Sequence, residues 1–221
     1  MKSCLVLACS PRTGGNTDAA VSFIVDALEQ QDVCAEVIYL RQFKIAPCQG
    51  CQKCAQERLG HCVLAGSDDA QSLLEKFLAY RNLFICSPIY FYHLPALLKA
   101  LIDRSQCFYA MWLNGRLKIS MGVAKIILLA GRKKGENLFA GSLLTLKYFL
   151  SPFNYSLEYL TLRGLDRAKD LQAQRQIQEK IRLFARITSE ESPAKSRNSQ
   201  FTDGGDRRTT NDFKWLQPSQ R

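Results

Sequence analysis

An α/β fold, with a parallel sheet covered by helices on both faces, is what this sequence predicts, and three observations carry it. Five short runs rich in apolar and β-branched residues recur along the chain. Stretches with apolar residues at helical spacing separate them. A turn of small and polar residues, Ser10 to Thr17, stands directly between the first run and the first such stretch. Strands that alternate with helices pair in parallel, because the intervening helix carries the chain back across the sheet.

The elements follow in order. Leu5-Val6-Leu7-Ala8-Cys9 is continuously apolar, as a strand covered on both faces must be. Asn16 or Thr17 is expected to cap a helix in which Ala20, Phe23, Ile24, Ala27 and Leu28 share one face. Ala35 to Leu40 reads as the second strand, and Pro47 then opens a cysteine-rich loop that runs to Cys62. Asp68-Asp69 stand at the favourable end of a helix carrying Ala70, Leu73, Leu74, Phe77 and Leu78. Asn82 to Cys86 is the third strand, Ser87 to Tyr92 the loop after it, and Pro95 the first turn of a helix with Leu97, Leu98, Leu101 and Ile102. Val123 to Ala130 is the fourth strand, Gly131 to Gly135 a basic loop, and Asn137 to Leu150 a helix ended by Pro152. Tyr155 to Leu162 is the fifth strand, and Ala168 to Ile187 a final helix carrying Leu171, Ile177, Ile181 and Phe184.

Residues 1–187 thus form one domain, with the cysteine-rich loop at 47–62. Beyond Thr188 the composition turns to Ser, Thr, Asn, Gln, Asp and Arg, which offer no core, so 188–221 is expected to be a flexible polar tail. Phe213, Trp215 and Leu216 are its exceptions, and docking on the domain or a neighbouring subunit is the alternative reading.

At 221 residues, 47% apolar and 23% charged, the chain can bury a core without disulfides. No run approaches the roughly 20 apolar residues of a membrane span, and no secretory leader is visible, so a soluble cytoplasmic protein is expected. The formal net charge is +10. Arg116, Lys118, Lys125, Arg132, Lys133, Lys134 and Lys147 face only Glu136 between residues 112 and 150. Such a surplus attracts phosphorylated cofactors or acidic partners, or simply faces solvent. No nucleic-acid reader module accompanies it, so neither nucleic acid nor membrane is expected as a partner.

Two stretches carry chemistry. Ser10, Thr13, Asn16 and Thr17 offer polar side chains, Arg12 a charged donor, and Gly14-Gly15 a backbone that a ligand can approach, all at the opening of a helix. That combination is a phosphate cradle, although a plain turn and cap would use the same residues. The second stretch is Cys48-Gln49-Gly50-Cys51-Gln52-Lys53-Cys54 with Cys62. The remaining cysteines of the nine, Cys4, Cys9, Cys34, Cys86 and Cys107, lie in apolar surroundings where a buried thiol is ordinary. Repeated CxxCxxC is more ferredoxin-like than zinc-like, since structural zinc usually draws two separated pairs. Zinc, free thiols and a disulfide switch remain open. Together the two stretches argue for a redox protein.

SPRTGGNT after the first strand, SPIYF after the third and LLKALIDR in the following helix resemble the NADPH-dependent FMN reductase family of flavodoxin-like proteins. PCQGCQKC, with Cys62 and Asp68-Asp69 behind it, further resembles its iron-sulfur flavoprotein branch. The resemblance covers residues 1–187 and implies a three-layer sandwich with strand order 2-1-3-4-5. It implies FMN, with Ser10, Arg12, Thr13, Gly15, Asn16 and Thr17 at the phosphate, Pro88, Ile89, Tyr90 and Phe91 at the ring, and Gly131 beside them. It also implies a [4Fe–4S] cluster on Cys48, Cys51, Cys54 and Cys62, with Lys44 and Lys53 the cations expected near it. Cys9 departs from the family, where glycine is common, and must turn its side chain into the core. No side chain is assigned a catalytic role, His93 included. The implied activity is FMN-dependent electron transfer between NAD(P)H or a ferredoxin-like donor and an acceptor, in a homodimer or homotetramer. A non-catalytic electron carrier and a cysteine-based redox sensor are the alternatives.

Overall fold

The structure, a computed structural model, describes residues 2–56 and 60–187. The expectations for the tail at 188–221 therefore lie outside the described residues. Five parallel strands, β1 Lys2–Ala8, β2 Val33–Tyr39, β3 Asn82–Pro88, β4 Gly122–Ala130 and β5 Tyr155–Arg163, form one sheet in the order β2-β1-β3-β4-β5. The helices are α1 Asn16–Glu29, α2 Lys53–Gln56, α3 Ala70–Ala79, α4 Ala96–Arg104, α5 Gln106–Leu113, α6 Ala140–Leu150 and α7 Arg175–Phe184. No described helix is long and apolar enough to cross a membrane.

Alternation along each strand builds two cores. Leu5, Leu7, Leu83, Ile85, Ile126 and Leu128 pack with Leu73 and Phe77 of α3, Leu98 and Leu101 of α4, and Leu146 and Phe149 of α6. Cys4, Val6, Ala8, Phe84, Cys86 and Ile127 point the other way, onto Ala20 and Ile24 of α1 and Ile181 of α7. Cys9 is buried in the first core, as its place in the turn demands.

Two elements differ from expectation. α5 was not anticipated: Cys107, Phe108, Tyr109, Ala110, Met111, Trp112 and Leu113 make it apolar nearly all round, so it shows no amphipathic stripe. α7 begins at Arg175 rather than Ala168, because residues 164–174 are turns. Gly164 and Lys169 have φ of +74° and +72°, the Asp170 carboxylate accepts the Arg167 N–H at 2.7 Å, and Leu171 is buried from a turn, not from a helical face.

The buried thiols of the two cores also set an alkaline limit on stability. Burial pushes the Cys4 thiol from about 9 up to about 12, against a smaller pull from Lys125, and burial raises Cys9 and Cys86 as well. These thiols stay protonated in the fold after the unfolded chain has lost its protons. Their contribution is therefore complete below about pH 9 and declines toward about pH 12. Urea midpoints under reductant at about pH 7.5 and about pH 10.5 should fall, and Cys4→Ala should lessen the fall. An equal fall in both proteins would assign it elsewhere.

Candidate functional site

The carboxyl ends of β1, β3 and β4 lie side by side, with Ala8 beside Cys86 and Pro88 beside Leu129. Open α/β sheets bind ligands at this edge. The turn after β1 is held from within. The Ser10 hydroxyl accepts the Arg12 N–H at 3.1 Å and lies 3.2 Å from the Arg12 carbonyl. Gly14, at φ +68°, takes a conformation that glycine adopts without penalty. Its N–H donates to the Asp18 carboxylate at 2.8 Å. Gly15 is the N-cap of α1, and no side chain caps the helix. The first intrahelical bond runs from the Ala19 N–H to the Gly15 carbonyl, so the preceding N–H groups at Asn16, Thr17 and Asp18 have no intrahelical partner. A Cβ on Gly15 would meet nothing within 4 Å. Open space over a cluster of free N–H donors at a helix start suits a phosphate group.

The capping expectation for Asn16 and Thr17 is not met, and the Asn16 side chain is engaged elsewhere. Its amide donates to the carbonyls of Leu165 at 3.2 Å and Arg167 at 2.9 Å, and it accepts the Leu171 N–H at 3.1 Å. Both amide hydrogens are spent on the loop before α7, leaving Asn16 its backbone N–H to offer. Thr17 is buried, whereas Arg12 and Thr13 are exposed.

Sequence reasoning missed Arg41. It follows β2 in the 3-10 turn Leu40–Gln42, and its guanidinium grips Asp18 with two bonds of 2.9 Å. It also approaches the carbonyls of Ser10 and Arg12 at 3.4 Å. The root of the cysteine-bearing segment is thus fastened to the turn after β1.

After β3, the Ile89 N–H bonds the Leu129 carbonyl at 2.8 Å, and Tyr90 and His93 exchange two backbone bonds of 2.9 Å around Phe91 and Tyr92. Both central residues have positive φ, +48° and +63°, where Asn or Gly is preferred. Phe91 is wholly exposed and Tyr92 partly so, while Pro88, Ile89 and Tyr90 are half-buried. The Arg132 guanidinium stacks over the Tyr92 ring at 5.7 Å, joining the basic loop to this turn. Gly131 has a packing reason: a Cβ there would stand 2.6 Å from an Asp166 carboxylate oxygen. His93 Nε2 lies 3.2 Å from the Thr145 hydroxyl. Replacing Phe91 by Asn and Tyr92 by Gly should raise the thermal midpoint by roughly 4–8 °C, at about 1 kcal/mol of relieved strain per residue and 2–4 °C per kcal/mol. An unmoved midpoint would mean that the turn stores no strain.

The four loop cysteines line one cavity of about 380 Å³, closed by Val63, Leu64, Arg104, Cys107, Tyr109, Ala110 and Leu113 among others. All are free thiols. Among the described residues no three His, Cys, Asp or Glu stand close enough to hold a metal ion. The Cys54 thiol is raised first by burial and then by Cys62, Cys51 and Cys48, so each sulfur of the set acts on it. The expected cations are not at this cavity: Lys44 and Lys53 are exposed and do not line it. Arg104 does, and it is 2% exposed. Its Nη1 pairs with the buried Asp68 carboxylate and donates to the Ala46 carbonyl at 3.1 Å. Asp68 also accepts the Ala46 N–H at 2.8 Å and the Ala70 N–H at 3.1 Å. Burial alone would raise the Asp68 carboxyl, but the Arg104 hydrogen bond and these two N–H groups hold it below its usual range. Nε and Nη2 of Arg104 are buried without an acceptor. Soft thiols around a volume this large, with two buried guanidinium nitrogens lacking an acceptor beside them, suit a polyatomic anionic group such as a thiolate-bound iron-sulfur cluster.

An iron-sulfur flavoprotein of Methanocaldococcus jannaschii is 35% identical over 97 residues, 44% of this chain and 48% of that protein. An iron-sulfur flavoprotein of Methanosarcina thermophila is 29% identical over 96 residues, 43% and 48% of the two chains. The chain spans about half the length of the curated relatives it matches. An NAD(P)H:quinone oxidoreductase of Methanothermobacter marburgensis superposes with a TM-score of 0.62 at 16% identity, covering 83% of this chain and 92% of that one. An azoreductase of Bacillus anthracis gives 0.59 at 11% identity over 84% and 97%. At such identities both structures speak for the fold alone. The sequence model of the NADPH-dependent FMN reductase family matches residues 3–136, which hold the turn after β1, the cysteine loop and the turn after β3. With more than half of its length accounted for by that match, the chain belongs to the NADPH-dependent FMN reductase family.

Proposed function

We propose that the protein is an FMN-dependent oxidoreductase that moves electrons between NAD(P)H or a ferredoxin-like donor and an acceptor, with a [4Fe–4S] cluster on Cys48, Cys51, Cys54 and Cys62 as its second redox group. The observation that carries this reading is the attachment of two sites to neighbouring strands. The phosphate cradle follows β1, the cysteine cavity follows β2, and Arg41 ties their segments together. FMN supplies two-electron exchange with a hydride donor and one-electron exchange with a cluster; the protein supplies placement and electrostatics.

The cradle's role is to neutralise the cofactor phosphate with N–H groups from Asn16 and Thr17, with the exposed Arg12 adding charge. Pro88, Ile89 and Tyr90 give the ring an apolar support, and the strained Phe91-Tyr92 turn places two further aromatic faces beside it. Arg132, Lys133 and Lys134 are placed to receive the phosphates of NAD(P)H. The same surplus favours approach by an acidic redox partner. Phe91 projects from its own protomer, and Tyr109, Trp112, Leu113, Leu144 and Tyr148 are exposed on α5 and α6. A second copy covering such surfaces fits a homodimer or homotetramer. Cysteines held outside disulfides suit a reducing, cytoplasmic setting.

The test uses full-length protein purified without oxygen. About four iron, four sulfide and one FMN per chain are expected. Rapid bleaching of the flavin by NADPH or NADH alone, followed by turnover with an acceptor, supports the enzyme. Reduction solely through another redox protein, with no turnover of an acceptor, would overturn it in favour of an electron carrier.

A further inference from the structure

Resting on the cluster reading above, we propose that Arg104 is the hydrogen-bond donor of the cysteine cavity. Its Nε and Nη2 are directed at a sulfur of the group held by Cys48, Cys51, Cys54 and Cys62, and so raise the reduction potential of that group.

Arg104 ends α4, a place where arginine is ordinarily solvated. Here it is among the largest fully buried side chains. A charged donor buried without an acceptor is strongly unfavourable, so two such nitrogens on one side chain require a partner. The other contacts of the guanidinium decide where that partner lies. Nη1 is fixed by Asp68 and the Ala46 carbonyl. Asp68 is itself fixed by the N–H groups of Ala46 and Ala70. Because the guanidinium is planar and rigid, holding Nη1 sets the direction of Nε and Nη2. Arg104 and all four loop cysteines line the same cavity.

A cluster bound by four thiolates is an anion, and taking up one electron without a proton makes it more negative. A fixed cation that donates to its sulfur stabilises the reduced form more than the oxidised one, and the potential rises. Lys44 and Lys53 cannot do this from exposed positions, where water screens them.

The test is a dye-mediated redox titration of the full-length holoprotein, with dithionite supplying the electron and the reduced cluster followed by electron paramagnetic resonance. Arg104→Gln is expected to weaken reduction about tenfold, a shift of about 59 mV to lower potential for a one-electron couple. Arg104→Lys, which keeps the charge, should recover part of it. Should Arg104→Gln fail to fold or load, native protein labelled with ¹⁵N-arginine gives a second readout. A ¹⁵N hyperfine coupling on the reduced cluster is expected, retained in Arg116→Lys. An unchanged potential in Arg104→Gln, or a fully loaded native cluster without arginine coupling, would overturn this inference alone. A native chain without iron and sulfide would overturn the cluster reading and this one with it.

Discussion

Arg41→Ala protein is expected to bind FMN about thirtyfold more weakly than the native chain. Arg41 makes no contact that the family motif would flag, yet it neutralises Asp18 within the first turn of α1, where an anion is to be received. Removing it leaves an unpaired carboxylate beside a phosphate. Two unit charges about 8 Å apart at an effective dielectric of about 20 repel by about 2 kcal/mol, which is roughly thirtyfold in affinity. The loss has a signature. Asp18→Asn combined with Arg41→Ala should restore most of the affinity, because the repulsion goes with the carboxylate. Fluorescence titration of FMN into the four proteins of this cycle measures it. Additive losses in the double variant would show that Arg41 acts by holding the Ser10 and Arg12 carbonyls instead.

Alanine at Cys48, Cys51, Cys54 or Cys62 is expected to bring iron and sulfide down to background while bound FMN stays near the native amount, since the cradle lies on another segment. Cys107→Ser should keep the iron. Although Cys107 lines the same cavity, it sits on α5 outside the loop, buried, with its S–H directed at the Arg104 carbonyl at 3.6 Å. Iron and sulfide analysis of the five variants decides the matter. About one zinc per chain in place of iron would change the chemistry to that of a structural site.

The sheet was legible in the sequence because each strand is a short apolar run bounded by turn residues, and those signals are local. The helix boundaries were less so. The stretch from Gln106 to Leu113 hides its helix by being apolar on every side, and Leu171 mimics a helical position while being buried from a turn. At the site, the glycines and the cysteine spacing announce their roles over a few residues. The partners of Asn16, 149 to 155 positions away, and of Arg41, 23 positions away, are set by the sheet order. Periodicity carries no trace of them. Arg104 belongs to the very motif that resembles the family, but its place at the end of a helix carries no local sign that it is buried. Its pairing with Asp68 across 36 positions exists only in the folded chain.

The central claim is that the turn after β1 grips the phosphate of a flavin. Equilibrium titration of flavin-free protein with FMN and with riboflavin, which lacks that phosphate, tests it most directly. The account predicts FMN bound at least about a hundredfold more tightly, about 2.7 kcal/mol from charge-assisted bonds to the helix start. Equal affinity for the two flavins would contradict it.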